Sequence, residues 1–356
     1  MLIGIDASRA EAKLKTGVER YSYEIIRAMR ATLPLNAEVV LYSYAPLPKE
    51  LGPWNDKWKN KVLSWPLRYA WTALRLTWEM WRHPVNVLFV PGYRLPMILP
   101  KRSVTVIHDA TFLEFSELYS SVDLAAQKAI LDDSCRRASA IIVPSQFTKD
   151  QLAALKPAHL EVVPLGVSLP KIKPSTIISN PYFVFVGRVD KKKNLSVAID
   201  GFVKFSEKHP DYSLMIVGRP SFGYDDILAY AKNSPAAARI FFTGPLPDKE
   251  MLGLVKNATA LVHPCPVEGF GLPVIEAMSL GTPVVVANHG AAAEAAGDAA
   301  LLVSPTDGVK WAEAMEQITF DIFRNPLIEK GRARAKEFTW LRAAEATWKV
   351  LLNVKL

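Results

Sequence analysis

Short apolar runs alternate with amphipathic stretches along most of the chain. LIGID (2–6), EVVLYSY (38–44), VNVLFVP (85–91), SVTVIHD (103–109) and AIIVPS (140–145) are continuous apolar, β-branched runs and predict strands. Between the first two, Tyr21, Ile25 and Met29 recur at helical spacing. The rhythm then repeats. YFVFVG (182–187), SLMIVG (213–218), RIFFTG (239–244), ALVHP (260–264) and TPVVVA (282–287) predict strands, and Leu195, Ala198, Ile199, Phe202 and Phe205 mark a helix. Strands that are apolar at every position, separated by helices, belong to parallel sheets covered on both faces. The stretch LGVSLPKIKPSTIISNP (165–181) breaks the rhythm with prolines and polar residues and reads as a linker. The pattern therefore predicts two doubly wound, Rossmann-like α/β domains, over 1–168 and 169–337. In such sheets ligands bind beyond the C-terminal strand ends, and a ligand between the domains is the default expectation.

Composition narrows this picture only a little. Half of the 356 residues are hydrophobic, as a folded protein requires, and the length suits two domains. The net charge of +8 favours phosphate-bearing partners without choosing among nucleotides, nucleic acid and anionic membranes. Two cysteines, Cys135 and Cys265, cannot build a disulfide framework and lack metal-ligand spacing. MLIGIDASR reads as a strand at once, with no leader-like charge or cleavage pattern, and no apolar run is long enough to span a membrane. A reduced, cytoplasmic setting is the expectation.

The densest chemistry lies in EGFGLPVIEAMSLGTPVVV (268–286). Glu268 follows the end of a strand. Gly269 and Gly271 allow close backbone approach, Pro273 suits a helix's first turn, and Gly281 suits its end. The N–H groups of Phe270, Gly271 and Leu272 then point from a helix N-terminus, where phosphate or hydroxyl oxygens bind. Glu276, one turn inside, can accept two hydrogen bonds from a vicinal diol such as a ribose. The stretch also reads as a capped helix with solvated acids. A second stretch, FVGRVDKKKNL (185–195), places Gly187, Arg188 and Lys193 on a turn leading from a strand into a helix. Cations there can hold a diphosphate and neutralise charge as it leaves, or simply solubilise a basic turn.

Two further strand ends carry polar groups. DASRAEAKLKTGVERYSYE (6–24) passes through a polar loop into a helix opened by Thr16-Gly17, and VTVIHDATF (104–112) ends on His108-Asp109. A strand-end histidine can be a positioned polar group or merely a hydrogen-bonded one.

Taken together, these stretches resemble the retaining nucleotide-sugar glycosyltransferases of family 4, which have the two-domain GT-B fold. GIDAS…TGVERY, VIHD, VPSQFTKDQL (143–152), VVPLGV (162–167), VGRVDKKKN and EGFGLPVIEAMSLGTPVVV each resemble a family motif, in order. GAAAEAAGDAALLVSP (290–305) continues the likeness, and FTWLRAAEATWKVLL looks like the terminal helix (338–356) that crosses back to the first domain. The E-x7-E spacing from Glu268 to Glu276 is the most specific of these. The resemblance implies that Arg188 and Lys193 bind the donor diphosphate and Glu276 the ribose. It assigns Glu268, with the backbone of Gly269, Phe270, Gly271 and Leu272, to the donor sugar. His108 would face the anomeric carbon and the acceptor, Gly17 would let its loop approach the phosphates, and Glu294 matches a family acid of open role. The chain departs from the family at Glu19, Val267 and Leu165, none of them at a charged catalytic position.

The implied reaction moves a hexose from a nucleotide sugar, GDP-mannose or a UDP-hexose, to a glycan or lipid-linked acceptor, with retention by same-face attack. Arg188 and Lys193 would then take the part a metal plays elsewhere, because the sequence has no Asp-x-Asp, only Asp132-Asp133 and Asp225-Asp226. Metal-independent activity with no cofactor is the expectation. The same fold also hosts sugar-nucleotide epimerases and phosphorylases, and a non-catalytic sugar-nucleotide-binding protein is a further alternative. No aromatic-basic nucleic-acid module is present.

One segment stands outside this scheme. Residues 53–84 hold six of the nine tryptophans. A helix over 66–83, between Pro66 and Pro84, predicts a stripe of Leu67, Trp71, Leu74, Trp78 and Trp81 beside a line of Arg68, Arg75 and Arg82. Such a stripe suits a peripheral contact with the inner membrane face. Tyr69, Ala73, Leu76 and Met80 make the opposite side apolar too, so burial is the competing reading.

Overall fold

The computed structural model describes residues 1–11, 17–66, 70–119, 121–169 and 180–355. Thr16, residues 67–69 of the tryptophan-rich segment and most of the 165–181 linker lie outside the described residues. The chain divides into two compact units: Met1–Gly166 with Thr339–Leu356, and Val167–Phe338.

The first unit runs β1 (Leu2–Asp6), α1 (Gly17–Ala31), β2 (Glu38–Ser43), β3 (Trp58–Val62), α2 (Thr77–Arg82), β4 (Val87–Val90), β5 (Ser103–Val106), α3 (Ser121–Arg137), β6 (Ala140–Val143), α4 (Gln146–Ala153) and β7 (Leu160–Val162). Its strands form a parallel sheet in the order β3-β2-β1-β4-β5-β6-β7.

The second unit runs β8 (Tyr182–Val186), α5 (Leu195–Ser206), β9 (Ser213–Val217), α6 (Tyr224–Lys232), β10 (Ile240–Gly244), α7 (Asp248–Asn257), β11 (Ala260–His263), α8 (Leu272–Leu280), β12 (Val284–Ala287), α9 (Ala291–Ala296), β13 (Leu301–Val303), α10 (Gly308–Gln317) and α11 (Asp321–Ala335). Its sheet order is β10-β9-β8-β11-β12-β13, again parallel. The strand order reverses between β1 and β4 in one sheet and between β8 and β11 in the other. Each reversal opens a crevice at the C-terminal strand ends, where doubly wound folds bind ligands.

The central strands bury every residue, as their unbroken apolar runs demand. Phe183, Phe185, Phe202 and Trp311 anchor the second core. In the first unit, the terminal helix α12 (Trp340–Asn353) packs on α1. Its Trp348 indole donates to the Met29 carbonyl at 3.1 Å, and Thr339 caps it by accepting from the Arg342 amide.

The tryptophan-rich segment differs from a single 66–83 helix. A π-helical turn spans Trp71–Leu76, and α2 follows it. The wider turn shifts the angular register, so the expected stripe splits. Trp71 points inward, buried, with its indole donating to the Leu63 carbonyl at 2.7 Å, and joins Leu76 and Met80 in the core. Leu74, Trp78 and Trp81 stay outside, 45%, 52% and 60% exposed. Of the expected arginine line, Arg68 lies outside the described residues and the other two part company. Arg75 pairs with the buried Glu79, which also takes Lys61 and His83, while Arg82 lies over the Trp78 ring. Among the described residues no helix is long and apolar enough to cross a membrane.

Candidate active site

The crevice of the second unit is built from the loops after β8 and β11. Beyond β8 the chain turns through Gly187, where a Cβ would stand 3.1 Å from the Phe185 ring and 3.9 Å from Lys193 Cε. Arg188 follows, its side chain 62% exposed, anchored at 3.3 Å on the buried carboxylate of Asp190. A short 3-10 turn over Lys191–Lys193 then ends at Asn194, which takes the left-handed conformation (φ 51°) that asparagine tolerates better than most residues. Its side-chain amide donates to the Pro305 carbonyl at 2.6 Å, pinning the turn and with it Lys193.

From the other side comes the loop after β11. Glu268 accepts a hydrogen bond from the Lys193 ammonium on Oε1. Oε2 lies 3.0 Å from Nε2 of His263, the last residue of β11, whose ring is fully buried and stacks on Phe185. Burial alone would raise the Glu268 carboxyl, but Lys193 and His263 outweigh it and hold the group well below the usual carboxylate range. Burial alone would likewise lower Lys193, and the charges of Cys265 and Glu268 raise it. Burial pushes the Cys265 thiol up to about 12, so at neutral pH the carboxylate is the partner that acts. The pair is ionised on both sides.

Past Glu268 the chain enters α8. Gly271, immediately before it, has φ +95°, and a Cβ there would stand 2.8 Å from Ala292 Cα. Only glycine fits on both counts. Pro273 lies in the first turn and Gly281 closes the helix in the left-handed conformation. Phe270 turns its ring inward onto Phe338, leaving its backbone at the mouth of the helix. Leu272 is the first helical residue, and Glu276, four residues further on, is buried. Lys193 and Glu268 thus join the two loops, with Gly187 and Arg188 on the first and Gly269, Phe270, Gly271, Leu272 and Glu276 following Glu268 into α8. The arrangement offers one exposed cation, one mostly buried cation and a helix N-terminus, which is what a diphosphate needs.

The two other candidates belong to the first unit. Gly17 opens α1 and is exposed, and among the described residues no atom lies within 4 Å of where its Cβ would stand. His108 sits two residues beyond β5. Its Nε2 lies 2.9 Å from the Pro91 carbonyl, which can only accept, so Nε2 carries the proton. Tyr21 meets the ring edge-on at 4.6 Å. Burial lowers the His108 pKa, so the ring is neutral at pH 7. Asp109 is not its partner: that carboxylate accepts from the amide and hydroxyl of Thr111, at 2.7 and 2.6 Å.

Sequence reasoning singled out neither His263, Cys265, Asp190 nor Asp6. Asp6 ends β1 beside the first crevice. Burial pushes its carboxyl up against hydrogen bonds from Ser8 and Thr72. Cys265 looked isolated by spacing, yet His263, Cys265 and Glu268 bring a nitrogen, a sulfur and an oxygen within 4.8 Å of one another, a set that can hold a metal ion. The Lys193 ammonium already lies on that carboxylate and supplies the positive charge. For His263 the signal was there: a histidine closing the apolar run ALVH is as conspicuous as the one closing VTVIH.

Comparison with known proteins finds residues 171–334 matching the model of the family "Glycosyl transferases group 1" and residues 15–170 that of "Glycosyltransferase Family 4". The chain is 24% identical to the O-antigen chain mannosyltransferase B of Escherichia coli, over 91% of this chain and 93% of that protein. Among solved structures, sucrose-phosphate synthase from Thermosynechococcus elongatus aligns with a TM-score of 0.74 at 18% identity, covering 98% of each chain. HepE from Anabaena, solved in complex with UDP and glucose, aligns with a TM-score of 0.70 at 17% identity over 99% of each.

Proposed function

We propose, for a chain that belongs to the group 1 glycosyl transferases, that it moves a hexose from a nucleoside diphosphate to the hydroxyl of a glycan or lipid-linked acceptor in cell-surface polysaccharide synthesis. Such a chain is a glycosyltransferase, so the epimerase, phosphorylase and non-catalytic readings are set aside. The observation that carries the proposal is the contact of Lys193 with Glu268, which joins the loop that bears Arg188 to the loop that leads into α8 and Glu276. Arg188 and Lys193 hold the diphosphate, Glu276 takes the ribose, and Glu268 with the backbone from Gly269 to Leu272 takes the sugar.

The bond from the anomeric carbon to the phosphate oxygen breaks, and one to the acceptor oxygen forms on the same side of the ring. The acceptor's proton passes to the leaving phosphate. The growing negative charge on that phosphate is the largest demand on the protein, and the two cations meet it without a metal. His108, neutral and fixed by the Pro91 carbonyl, is a polar group rather than a proton donor. GDP-mannose is the first donor to try, given the mannosyltransferase at 24% identity, with UDP-hexoses next, given the UDP and glucose in HepE. The exposed Leu74, Trp78 and Trp81 continue into Met97 and Ile98, because the Met97 amide donates to the Thr77 hydroxyl at 2.7 Å. That patch suits peripheral contact with a membrane carrying the acceptor.

The test is a donor panel in EDTA: GDP-mannose, UDP-glucose, UDP-galactose, UDP-N-acetylglucosamine and dTDP-rhamnose, with released nucleotide measured. Turnover of one donor, abolished in Arg188→Ala, is expected. No turnover of any donor, together with no thermal stabilisation by any of the nucleotides, would overturn the proposal.

A further inference from the structure

We infer that His263 is a positioning residue for the transfer reaction: its Nε2–H fixes Oε2 of Glu268, and Glu268 in turn aims the Lys193 ammonium through Oε1. The inference rests on Lys193 being the buried cation of the donor site.

The three links differ in how firmly the fold holds them. His263 belongs to β11, paired with β8 on one side and with Val286 of β12 on the other. Its ring is fully buried and lies nearly parallel to Phe185, 15° between planes. It has nowhere to turn. Glu268 sits five residues further along, on the loop that must reach the ligand, and Lys193 ends a flexible stem. A long ammonium side chain has no direction of its own, so its aim comes from its partner. A carboxylate on a loop likewise needs a second contact to stop its rotation. Oε1 alone would leave the Lys193–Glu268 pair free to swing, and the second contact from His263 closes that freedom.

The ring's protonation follows from its partners. Nδ1 is buried and, among the described residues, has no hydrogen-bond partner. A proton on Nδ1 would be an orphaned donor in a dry place, whereas a proton on Nε2 meets a carboxylate. A proton on Nε2 therefore meets an acceptor, and an unprotonated Nδ1 leaves no orphaned donor. Cys265 does not share the task. Its sulfur lies 3.3 Å from the Lys192 and Val267 carbonyls, where its hydrogen ties the two loops together.

The test uses the full chain and whichever donor the wild type turns over. His263→Phe fills the space without an N–H, and His263→Gln returns an N–H at nearly the place of Nε2. His263→Phe is expected to lower kcat by about 30-fold with KM within about twofold, as a misaimed group does. His263→Gln should recover kcat to within about threefold of wild type. Added to Glu268→Gln, His263→Phe should cost less than about twofold more, because a residue acting through Glu268 has nothing left to position. Full kcat in His263→Phe, failure of a folded His263→Gln to recover, or additive losses would each overturn the inference. Nitrogen-15 spectra of labelled wild-type protein at pH 7 give a reading independent of catalysis and of folding in the variants. A proton on Nε2 alone is expected, and a proton on Nδ1 would overturn the assignment. Absence of turnover together with absence of nucleotide stabilisation in the wild type would fail the proposed function, whereas these outcomes fail only the role of His263.

Discussion

Each unit ends a strand of its sheet near a histidine, and the two histidines have been put to different use. His108 follows β5 and gives its Nε2–H to the Pro91 carbonyl at 2.9 Å. His263 closes β11 and offers Nε2 to the Glu268 carboxylate at 3.0 Å. The distances match and the partners do not. A backbone carbonyl is neutral and immobile, so His108 ends in a neutral setting, with Tyr21 against its edge. A carboxylate carries charge and recruits Lys193, so His263 ends in an ionic one. One residue type at the C-terminal end of a parallel strand thus yields two kinds of site. What decides is the side chain that the neighbouring loop delivers.

The largest test of that contrast is Lys193→Met against Arg188→Ala. Lys193→Met strands the mostly buried Glu268 carboxylate, and removing one partner of a buried pair costs about 3–5 kcal/mol. It should also lower turnover by about 100-fold or more, since it removes charge aimed at the leaving phosphate. Arg188→Ala should lower turnover comparably. Its side chain is 62% exposed but rests on the buried Asp190 carboxylate, so its stability should fall by about 1–3 kcal/mol, less than that of Lys193→Met. Urea denaturation and kcat separate the two effects. A Lys193→Met protein as stable as the wild type would mean that the second unit's strand end is not held by charge, and the contrast would break.

These roles were unevenly legible in the sequence. Every central strand was visible in advance, since a central parallel strand has no polar side to show. The strands that were missed, β3 (WKNKV), β7 (LEV) and β13 (LLV), all lie at sheet edges. β7 and β13 are three residues each, and β3 alternates lysines with other residues, as edges do to discourage pairing with other chains. The glycines and acids of the Glu268–Glu276 segment were legible because their spacing encodes a turn and a helix start. Asp190 was not, because it works through Arg188, two residues away, and meets it only once the loop folds, and His263, though conspicuous at the end of ALVH, did not show its partner, five residues on. The π-helical turn at Trp71 was invisible because a 3.6-residue period was assumed throughout.

The pH dependence of stability sharpens the comparison, with a smaller effect. Burial lowers the His108 pKa in the folded state. A depressed folded value means that the unfolded chain takes up the proton first, so stability is lost as pH falls below about 6.5. Glu268 is also depressed, from a carboxylate's ordinary value, so its contribution holds above about pH 4.3 and is lost further down. Lys193 is raised, so its share holds at neutral pH and is lost only in strong alkali. The two strand ends should therefore weaken in separate windows. His108→Gln, which keeps a donor for the Pro91 carbonyl, should flatten the urea midpoint between pH 6.5 and 5, by at most about 1.4 kcal/mol per pH unit. Profiles of variant and wild type that coincide across that range would show that His108 is not held neutral by burial.

The smallest expected effect concerns what each unit leaves uncovered. The first exposes Leu74, Trp78 and Trp81, with Arg82 over the Trp78 ring at 5.8 Å. The second exposes Phe320, Ile322 and Phe323 beside Asp321. Indoles next to a cation suit the headgroup region of an anionic bilayer, and phenyl rings next to the Asp321–Arg324 ion pair, which carries no net charge, suit it less. Trp78→Ser with Trp81→Ser should weaken binding to phosphatidylserine-containing vesicles by about tenfold in a sedimentation assay. Stability should change little, because both rings are more than half exposed already. Phe320→Ser with Phe323→Ser should leave vesicle binding as it was. Equal losses from both pairs would make the attraction generic to exposed aromatic rings, and no loss from the tryptophans would remove the membrane from the account of the first unit. A loss confined to the tryptophan pair would place the lipid contact on the unit whose strand end is neutral, apart from the unit that carries the charges.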